Sequence, residues 1–341
     1  MLKGSQWLRC AARFVPAAPL RPFGRPVALF FHGVAERIVD PRIEINHHTL
    51  SGFRAIARQL KRDFRVLPLS DLDDALARPE QHRRTVFLMS DDGYANTLLA
   101  ADVLAECELP WTLFASTEHI ETDDLNPLTL ARLFAFHAAE GRYPIAHVGE
   151  TILPENPEGR ARIAARLVAV LKALPEPCAR AAVASLRSAF SDGAFADLRS
   201  RFASERYLNW GELEALHRRG VEIGAHAHWH WPMNASQPLH HIAEQANRPR
   251  ALIEKKLGRC RYFAYPFGNA GDVSREARQA VRRAGYSHAF TTLSGTLGPH
   301  ADPFLLPRYG LRPREGHLPA LLPLIRAGNS RVAHLQRQLV S

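Results

Sequence analysis

Two adjacent carboxylates are the first residues of this 341-residue chain whose types point to chemistry. Asp91 and Asp92 follow the apolar run of residues 85–89 and precede Gly93. Successive side chains of an extended backbone point apart, so one carboxylate can reach a metal ion while its neighbour faces a bound water molecule. Two like charges this close are costly unless a cation or a shared proton relieves them. Asp and Gly also favour turns and helix caps, so the pair alone is a weak signal.

Three alternating imidazoles follow a second predicted strand, residues 221–225, at positions His226, His228 and His230. His226 and His230 are four residues apart and share a face if the loop turns helically. If the strand continues instead, His226 and His228 lie on one side and form a rival pair. Neutral imidazole is a common ligand of zinc and similar metals. With two carboxylates at another strand end, the histidines predict a metal site.

Apolar strands that alternate with helical segments predict the framework that positions these residues. Continuous apolar runs indicate strands buried on both faces, and the strand–helix–strand rhythm predicts parallel pairing. The predicted strands are residues 27–31, 64–67, 85–89, 111–115, 221–225, 262–265 and 289–292. We therefore expect an α/β fold, a deformed (β/α) barrel of about seven parallel strands. A helix over residues 239–257 is expected to be interrupted at Pro249.

The rhythm lapses between residues 123 and 206, where helical periodicity predicts a mostly helical insertion into the barrel. The barrel with its insertion is expected to span residues 26–310. We expect an N-terminal lead-in over residues 1–25 and a helical C-terminal tail over residues 311–341. Residues 2–14 have the pattern of a weak interfacial helix, and no apolar run approaches the ~18–20 residues that cross a bilayer.

Composition and charge exclude several classes of protein. With 46% hydrophobic and 23% charged residues the chain is neither collagen-like, low-complexity nor a small disulfide scaffold. The net charge of +10 comes without a dense basic run, so we expect no nucleic-acid partner, although a positive field favours anionic substrates or membrane surfaces. The four cysteines are scattered, as isolated thiols in a reducing compartment would be. Because the N-terminus lacks a clean apolar signal region, we expect a bacterial cytoplasmic protein with at most weak peripheral membrane contact.

Several motifs together make the sequence similar to the polysaccharide deacetylase family (NodB homology, carbohydrate esterase family 4). Residues 90–94, SDDGY, resemble its Thr-Phe-Asp-Asp-Gly motif, and residues 223–230, IGAHAHWH, resemble its His-Ser/Thr-x-x-His motif. Residues 263–268, FAYPFG, resemble the Phe-Ala-Tyr-Pro-Tyr-Gly variant of its third motif. Further agreement is found at residues 31–34, 285–292 and 306–308. The resemblance spans roughly residues 26–310, interrupted by the insertion.

The resemblance implies a metal-dependent hydrolase that removes N- or O-acetyl groups from a sugar or glycan precursor, in the assembly of a surface polysaccharide. It implies that Asp92, His226 and His230 bind a divalent metal ion and that Asp91 is the general base. Two imidazoles and one carboxylate suit Zn²⁺, and Co²⁺, Ni²⁺ or Mn²⁺ also occupy such sites. The alternatives are a hydrolase of a non-carbohydrate amide and a non-catalytic, glycan-binding descendant of a deacetylase.

The sequence departs from the family at three positions and lacks one motif. Ser90 replaces the bulky Phe that precedes the two Asp residues. Ala227 replaces a Ser or Thr, which removes a hydrogen bond near the metal ligands. Ala264 stands where the family's third motif has an Arg that orients the base; Arg308 or Arg261 would substitute, and Arg308 is favoured because it follows a predicted strand end. The late Leu-x-His motif, which supplies a general acid, is not found. His32, at the end of the first strand, is the candidate proton donor.

Three further residues are candidates for contact with the substrate. The resemblance implies that Tyr265 and Pro266 border the pocket for the acyl group. Trp229 lies between the histidines and would stack on a sugar ring, with structural packing as the alternative. The histidine pairs His47–His48 and His240–His241 are expected on solvated surfaces.

Overall fold

The apolar runs of the sequence form the strands of the protein, which we describe for residues 25–313 of a computed structural model. The predicted lead-in and interfacial helix, and nearly all of the predicted C-terminal tail, lie outside the described residues. The strands are β1 (Val27–Phe31), β2 (Gly33–Ala35), β3 (His47–Thr49), β4 (Arg65–Leu67), β5 (Thr85–Ser90), β6 (Thr112–Ala115), β7 (Gly141–Ile145), β8 (Gly149–Leu153), β9 (Glu222–Ala225), β10 (Tyr262–Ala264), β11 (His288–Phe290) and β12 (Tyr309–Gly310).

Helices connect most of the strands of the central sheet. They are α1 (Leu50–Asp63), α2 (Leu72–Ala77), α3 (Thr97–Glu106), α4 (Thr117–Thr122), α5 (Pro127–His137), α6 (Pro157–Ala173), α7 (Glu176–Arg187), α8 (Asp192–Arg201), α9 (Trp210–Arg218), α10 (Leu239–Leu257) and α11 (Arg275–Arg283). Short 3₁₀ turns lie at Leu69–Asp71, Pro79–His82 and Ala203–Glu205. Among the helices of residues 25–313, none has both the length and the apolar character of a membrane-spanning segment.

Seven strands form one parallel sheet in the order β11-β10-β9-β6-β5-β1-β12, and β4 pairs with the first half of β5. The sheet curls, and its two ends approach each other. Phe290 of β11 forms a single parallel bridge with Leu306, which lies three residues before β12. This curled sheet of parallel strands confirms the predicted deformed barrel.

Side chains alternate between the inside of the barrel and the layer under the helices, as the period of a strand requires. Phe30 of β1 and Met89 of β5 point inward, whereas Phe31 packs beneath the helices. Position 224 of β9 requires glycine for a steric reason, because a Cβ there would lie 2.6 Å from the ring of Phe114. The barrel is therefore filled by aromatic and aliphatic side chains, with glycine where two strands carry too much volume.

The insertion contains four helices, α5 to α8, and the antiparallel hairpin β7–β8. It has an apolar core of its own, which includes Leu133, Phe134, Leu167, Leu171 and Leu186. The mostly helical character of the insertion agrees with the prediction. The same apolar core includes Trp229 and Trp231 of the loop after β9, so apolar packing also holds the insertion against the barrel.

Arg180 of α7 fastens the insertion to the barrel. Its guanidinium donates to both oxygens of Glu118 in α4, at 2.6 and 2.8 Å, and to Glu176 in α7, at 2.9 and 3.0 Å. It also lies 3.9 Å from the centre of the Trp229 ring, in the loop after β9. Gln245 of α10 extends the network, because its amide donates to Glu176 at 2.8 Å. One cation therefore joins the insertion, the end of β6 and the histidine loop.

A stacked pair joins the two ends of the insertion. The rings of His119 in α4 and Tyr207, which precedes α9, lie 4.5 Å apart and nearly parallel. Nδ1 of His119 donates to the carbonyl oxygen of Asp124 at 3.1 Å, and its buried Nε2 has no hydrogen-bond partner. Burial, and to a lesser degree the nearby His230, lowers the pKa of His119 to about 4.

Helix α10 runs without a break through Pro249, contrary to the expected interruption. Proline removes one helical hydrogen bond and crowds the preceding turn. Pro249 is buried, however, in the apolar face that α10 packs against the barrel. Tertiary packing therefore outweighs the local preference of proline.

Replacing Arg180 with glutamine is expected to lower the free energy of unfolding by about 2 kcal/mol, because it leaves Glu118 and Glu176 largely buried without their cation. Chemical denaturation monitored by circular dichroism measures this change. The matched control is Arg142→Gln, which removes an exposed ion pair with Glu150 on the hairpin and should change stability by less than about 1 kcal/mol. Equal losses in both variants would contradict the role of Arg180.

His119 should make folding stability depend on pH. Its pKa is about 4 in the folded chain, below the unfolded value of 6.5, so the unfolded state takes up the proton first. The stabilising contribution is complete above pH 6.5 and is lost as the pH falls toward 4, by about 3 kcal/mol in total. Denaturation across this range should show a smaller loss for His119→Gln than for the wild type. His217→Gln, in α9, is the control, and parallel curves for wild type and His119→Gln would refute the prediction.

Candidate active site

The predicted site residues lie at one rim of the barrel. His32 follows β1, Asp91 and Asp92 follow β5, and His226 follows β9. Because these strands are parallel, their carboxyl ends share the same rim. Asp91 is two residues beyond Met89 and points into the barrel like that residue. Strand period and strand direction together therefore bring distant segments of the chain to one place.

Asp92, His226 and His230 form a buried cluster whose nitrogen and oxygen atoms all lie within 4.8 Å of one another. Oδ1 of Asp92 is 2.9 Å from Nε2 of His230 and 3.2 Å from Nε2 of His226. Neither contact has hydrogen-bond geometry, so this buried oxygen has no hydrogen-bond partner. Burial raises the pKa of Asp92, but the neighbouring histidines His230, His32 and His226 together lower it by more, so the pKa lies well below its usual range.

The orientation of His226 supports a cation at this cluster. Nδ1 of His226 donates to the carbonyl oxygen of Ala264 at 2.7 Å, so Nε2 of the neutral ring is unprotonated. An unprotonated nitrogen 3.2 Å from a carboxylate oxygen is repelled unless a cation lies between them. Two imidazoles and one carboxylate are a donor set for zinc and related ions. The residues present therefore fit a divalent metal ion.

His230 is oriented from behind by the start of the insertion. The amide nitrogen of Asn126 lies 3.2 Å from Nδ1 of His230 and donates to the hydroxyl of Tyr207 at 3.2 Å. The amide oxygen of Asn126 caps α5 by accepting from the N–H of Leu128, which fixes the direction of the amide. With the amide nitrogen donating to Nδ1, the proton of neutral His230 lies on Nε2. Because a neutral imidazole binds a metal through its unprotonated nitrogen, metal binding at Nε2 requires this proton to move to Nδ1.

Left-handed backbone conformations concentrate around the cluster. Asp92, Ala227, His230 and Phe267 have φ values of 75°, 60°, 50° and 60°. Non-glycine residues in this region cost about 1–2 kcal/mol each and persist where the surrounding structure holds them. The turns at Ala227 and His230 bring the imidazoles of His226 and His230 together, which an extended strand would not do. The backbone of this loop is therefore shaped for the cluster at some cost in stability.

Arg308 binds both oxygens of Asp91, at 2.7 and 2.8 Å, and is completely buried. Its Nε donates to the carbonyl oxygen of Thr291 at 3.0 Å, and its guanidinium carbon lies 4.4 Å from the centre of the Phe30 ring. Burial raises the pKa of Asp91, but Arg308 lowers it by more, so the carboxyl is ionised. The partner of Asp91 is thus Arg308, whereas Arg261 is exposed.

His32 is half-buried beside the two carboxylates. Its carbonyl oxygen accepts from the hydroxyl of Ser90 at 2.7 Å, and its ring packs edge-on against Phe30. Burial lowers the pKa of His32, and Asp92 and Asp91 raise it in part. Within residues 25–313, the imidazole nitrogens of His32 form no hydrogen bond or ion pair with another side chain. His32 differs in this respect from the other titratable residues of the cluster.

His228 turns away from the cluster. Its Nδ1 lies 2.8 Å from the hydroxyl of Thr117, and its Nε2 lies 3.5 Å from the carboxylate of Glu118. The structure therefore brings together the pair His226 and His230, and the rival pair with His228 does not form. His228 instead ties the loop to the start of α4.

Two of the predicted substrate contacts do not fit the structure. Tyr265 is two residues beyond Phe263 and packs with it in the layer under the helices, where its hydroxyl is buried without a partner. It points away from the barrel interior. Trp229 is only 5% exposed, stacks on Trp231 at 4.8 Å and carries Arg180 over its ring. Trp229 is therefore a packing residue and offers no face to a sugar.

Phe267 is a neighbour of the cluster that the sequence did not indicate. Its ring lies 4.9 Å from the ring of His230, and the ammonium of Lys172 in α6 lies 4.1 Å from its centre. Lys172 also pairs with Asp272 at 3.1 Å. Pro266, predicted to border the acyl pocket, is buried directly before Phe267. The insertion thus reaches the rim of the site through Lys172.

A second buried network lies beside the site, and the sequence did not indicate it. His47 and His48 are buried and not on a solvated surface. Nε2 of His47 lies 2.7 Å from Glu205, whose other oxygen accepts from the hydroxyl of Thr129 at 2.7 Å. The edge of the His47 ring packs on Tyr94. Because Glu205 is 158 residues away from His47, no local pattern could have shown this pair.

The comparisons with known proteins agree with this geometry. The model of the polysaccharide deacetylase family matches residues 160–289, which contain His226 and His230 but not Asp91, Asp92 or Arg308. Among curated protein sequences none matches the chain.

Three solved structures share the fold at low sequence identity. The deacetylase PplD from Streptococcus pyogenes, solved in complex with acetate, is 13% identical with a TM-score of 0.56, over 87% of this chain and 96% of that one. IcaB from Ammonifex degensii is 15% identical with a TM-score of 0.56, over 89% and 97%. BC0361, a polysaccharide deacetylase from Bacillus cereus, is 13% identical with a TM-score of 0.53, over 87% and 69%.

At these identities the structural likeness concerns the fold, and the family match adds the histidine loop. Taken together, the match over residues 160–289 and the shared fold make this chain similar to polysaccharide deacetylases.

Proposed function

We propose that this protein is a metal-dependent deacetylase that removes N- or O-acetyl groups from a sugar or glycan precursor. One observation carries the proposal: Asp92, His226 and His230 converge on one buried point beside Asp91, which Arg308 holds by both oxygens. A protein that only binds a glycan has no need of a second buried carboxylate fixed at the same point. The family match supports the substrate class.

Asp92, His226 and His230 would hold the metal ion, and Zn²⁺ is the ion we propose. When bound, the ion would supply a Lewis acid that polarises the acetyl carbonyl and makes water easier to deprotonate. Asp92 contributes an ionised oxygen, and His226 contributes a nitrogen whose direction Ala264 fixes. Such outer contacts orient the ligands of a metal site.

Asp91 is proposed as the general base. Arg308 keeps the carboxylate ionised and leaves its oxygens in one orientation at the rim. Asp91 would accept a proton from the water molecule whose oxygen attacks the acetyl carbonyl carbon. Because Arg308 is itself fixed by Thr291 and the Phe30 ring, the base cannot rotate away from the reacting water.

His32 is proposed as the proton donor to the leaving group. When the carbon–nitrogen bond breaks, the amine leaves with a proton from His32, and acetate remains; for an O-acetyl group an alcohol leaves in the same way. The half-buried position of His32 beside the two carboxylates suits this role. Its lowered pKa makes it a stronger acid once it is protonated.

We further propose a cytoplasmic role in surface polysaccharide assembly, on lipid-linked or nucleotide-linked acetylated sugars. Such intermediates carry phosphate, which suits the net charge of +10. Release of acetate from soluble acetylated sugars, lipid-linked sugars and acetylated polymers, each with added metal, tests the proposal. Inactivity on all three substrate classes would refute it.

Asp91→Asn should lower kcat by about 10²–10⁴-fold, because the amide cannot accept the proton of the attacking water. Acetate release measures the rate. Elemental analysis should find the same metal content as in the wild type, since Asp91 is not a ligand. Unchanged turnover would remove Asp91 from the reaction.

His226→Ala and His230→Ala should each lower the metal content of purified protein by about tenfold or more. The reason is that each substitution removes one of the three ligands and leaves only two. Elemental analysis after dialysis measures the metal directly, without an activity assay. His228→Gln is the matched control in the same loop and should retain the metal. If all three variants lose metal equally, the assignment of the ligands is wrong.

A further inference from the structure

A basic cleft lies outside the sheet, away from the residues of the metal cluster. It has a volume of about 480 Å³ and opens between α11 and the loop of residues 299–304. Arg275, Arg278 and Arg282 line one wall and His300 lies in the other. Residues three, four and seven apart on a helix share a face, so the three guanidinium groups reach into the same space. The volume is in the range of small-molecule sites.

The positive charge of the cleft is largely uncompensated. One carboxylate lines it, Asp302, which accepts from Arg278 at 2.9 Å. Arg282 lies 5.3 Å from the centre of the Phe304 ring, a contact that orients the guanidinium without neutralising it. Within residues 25–313, Arg275 makes no hydrogen bond, ion pair or ring contact with another residue. Among residues 25–313, no carboxylate pairs with Arg275 or Arg282, so the charges of these two arginines suit an anion.

Arg275 also stands at an unfavourable place in its helix. It is the first residue of α11, where the helix dipole is positive and a cation is unfavourable. A bound anion would compensate both the dipole and the guanidinium. Arg283, in the last turn of the same helix, is at the favourable end and does not line the cleft.

We propose that this cleft binds a ligand carrying two phosphate groups. Guanidinium groups bind phosphate oxygens in pairs, and Arg prefers such planar acceptors. Arg275 and Arg282 are about 10 Å apart along the helix axis, with Arg278 between them, which suits two adjacent phosphates better than one. The source is a soluble diphosphate or the phosphates of two neighbouring lipid headgroups, and the guanidinium–phosphate contacts are the same for both. The inference does not depend on the deacetylase proposal, because the cleft shares no residue with the metal cluster.

Calorimetric titration of the full chain with inorganic diphosphate tests the soluble source, with the metal content measured before and after. We expect saturable binding that the double variant Arg275→Gln/Arg282→Gln weakens by about tenfold or more. Arg283→Gln, which removes the same charge from the same helix, should change the affinity by less than about threefold. Equal weakening by Arg283→Gln would show a general charge effect and overturn the proposal.

Sedimentation with phosphatidylcholine vesicles, with and without phosphatidylglycerol, tests the lipid source. We expect binding that needs the anionic lipid, that the double variant loses and that Arg283→Gln keeps. This result would place headgroup phosphates in the cleft. If the wild type binds neither diphosphate nor these vesicles, the proposal fails. The double variant should still hydrolyse an uncharged acetylated sugar at the wild-type rate, so loss of anion binding and loss of deacetylation are separate results.

Discussion

Burying two neighbouring carboxylates is the constraint on which the rest of this structure depends. A buried charge is costly unless a partner compensates it, and adjacent like charges add to that cost. Asp91 and Asp92 have different surroundings: a guanidinium completely enclosed in the barrel binds both oxygens of Asp91, and two imidazoles face Asp92 at the cluster that fits a cation. Because Arg308 occupies Asp91, that carboxylate stays outside the imidazole cluster, and the two acids can have different functions.

The loop after β9 and the insertion are shaped around this constraint. Left-handed residues in the loop turn two imidazoles toward Asp92, and such backbone needs support from its surroundings. Arg180 and Asn126 provide that support from the insertion, through Trp229 and through His230. The insertion is therefore part of the framework of the site as well as a cover over one side.

Much of this arrangement could be predicted from the sequence, because parallel strands end at one rim and side chains alternate along each strand. The convergence of the acidic pair with two histidines follows from these two rules, whereas the order of the strands in the sheet does not. The same alternation predicts that Tyr265 lies with Phe263, outside the barrel, as the structure has it. The resemblance to the third motif pointed instead to the pocket. The partners of Trp229 and His47 could not be predicted, since Arg180 and Glu205 are distant in sequence and no local pattern marks them.

Arg308 lies in the last segment of the barrel, between the bridge at Leu306 and β12, and its partner Asp91 is 217 residues earlier. During synthesis on the ribosome, Asp91 has no cation until almost all of the barrel has emerged. Docking of this final segment closes the sheet and provides the buried Asp91 carboxylate with its cation in a single event. A chain that ends before this segment therefore leaves Asp91 without the buried guanidinium that compensates its charge.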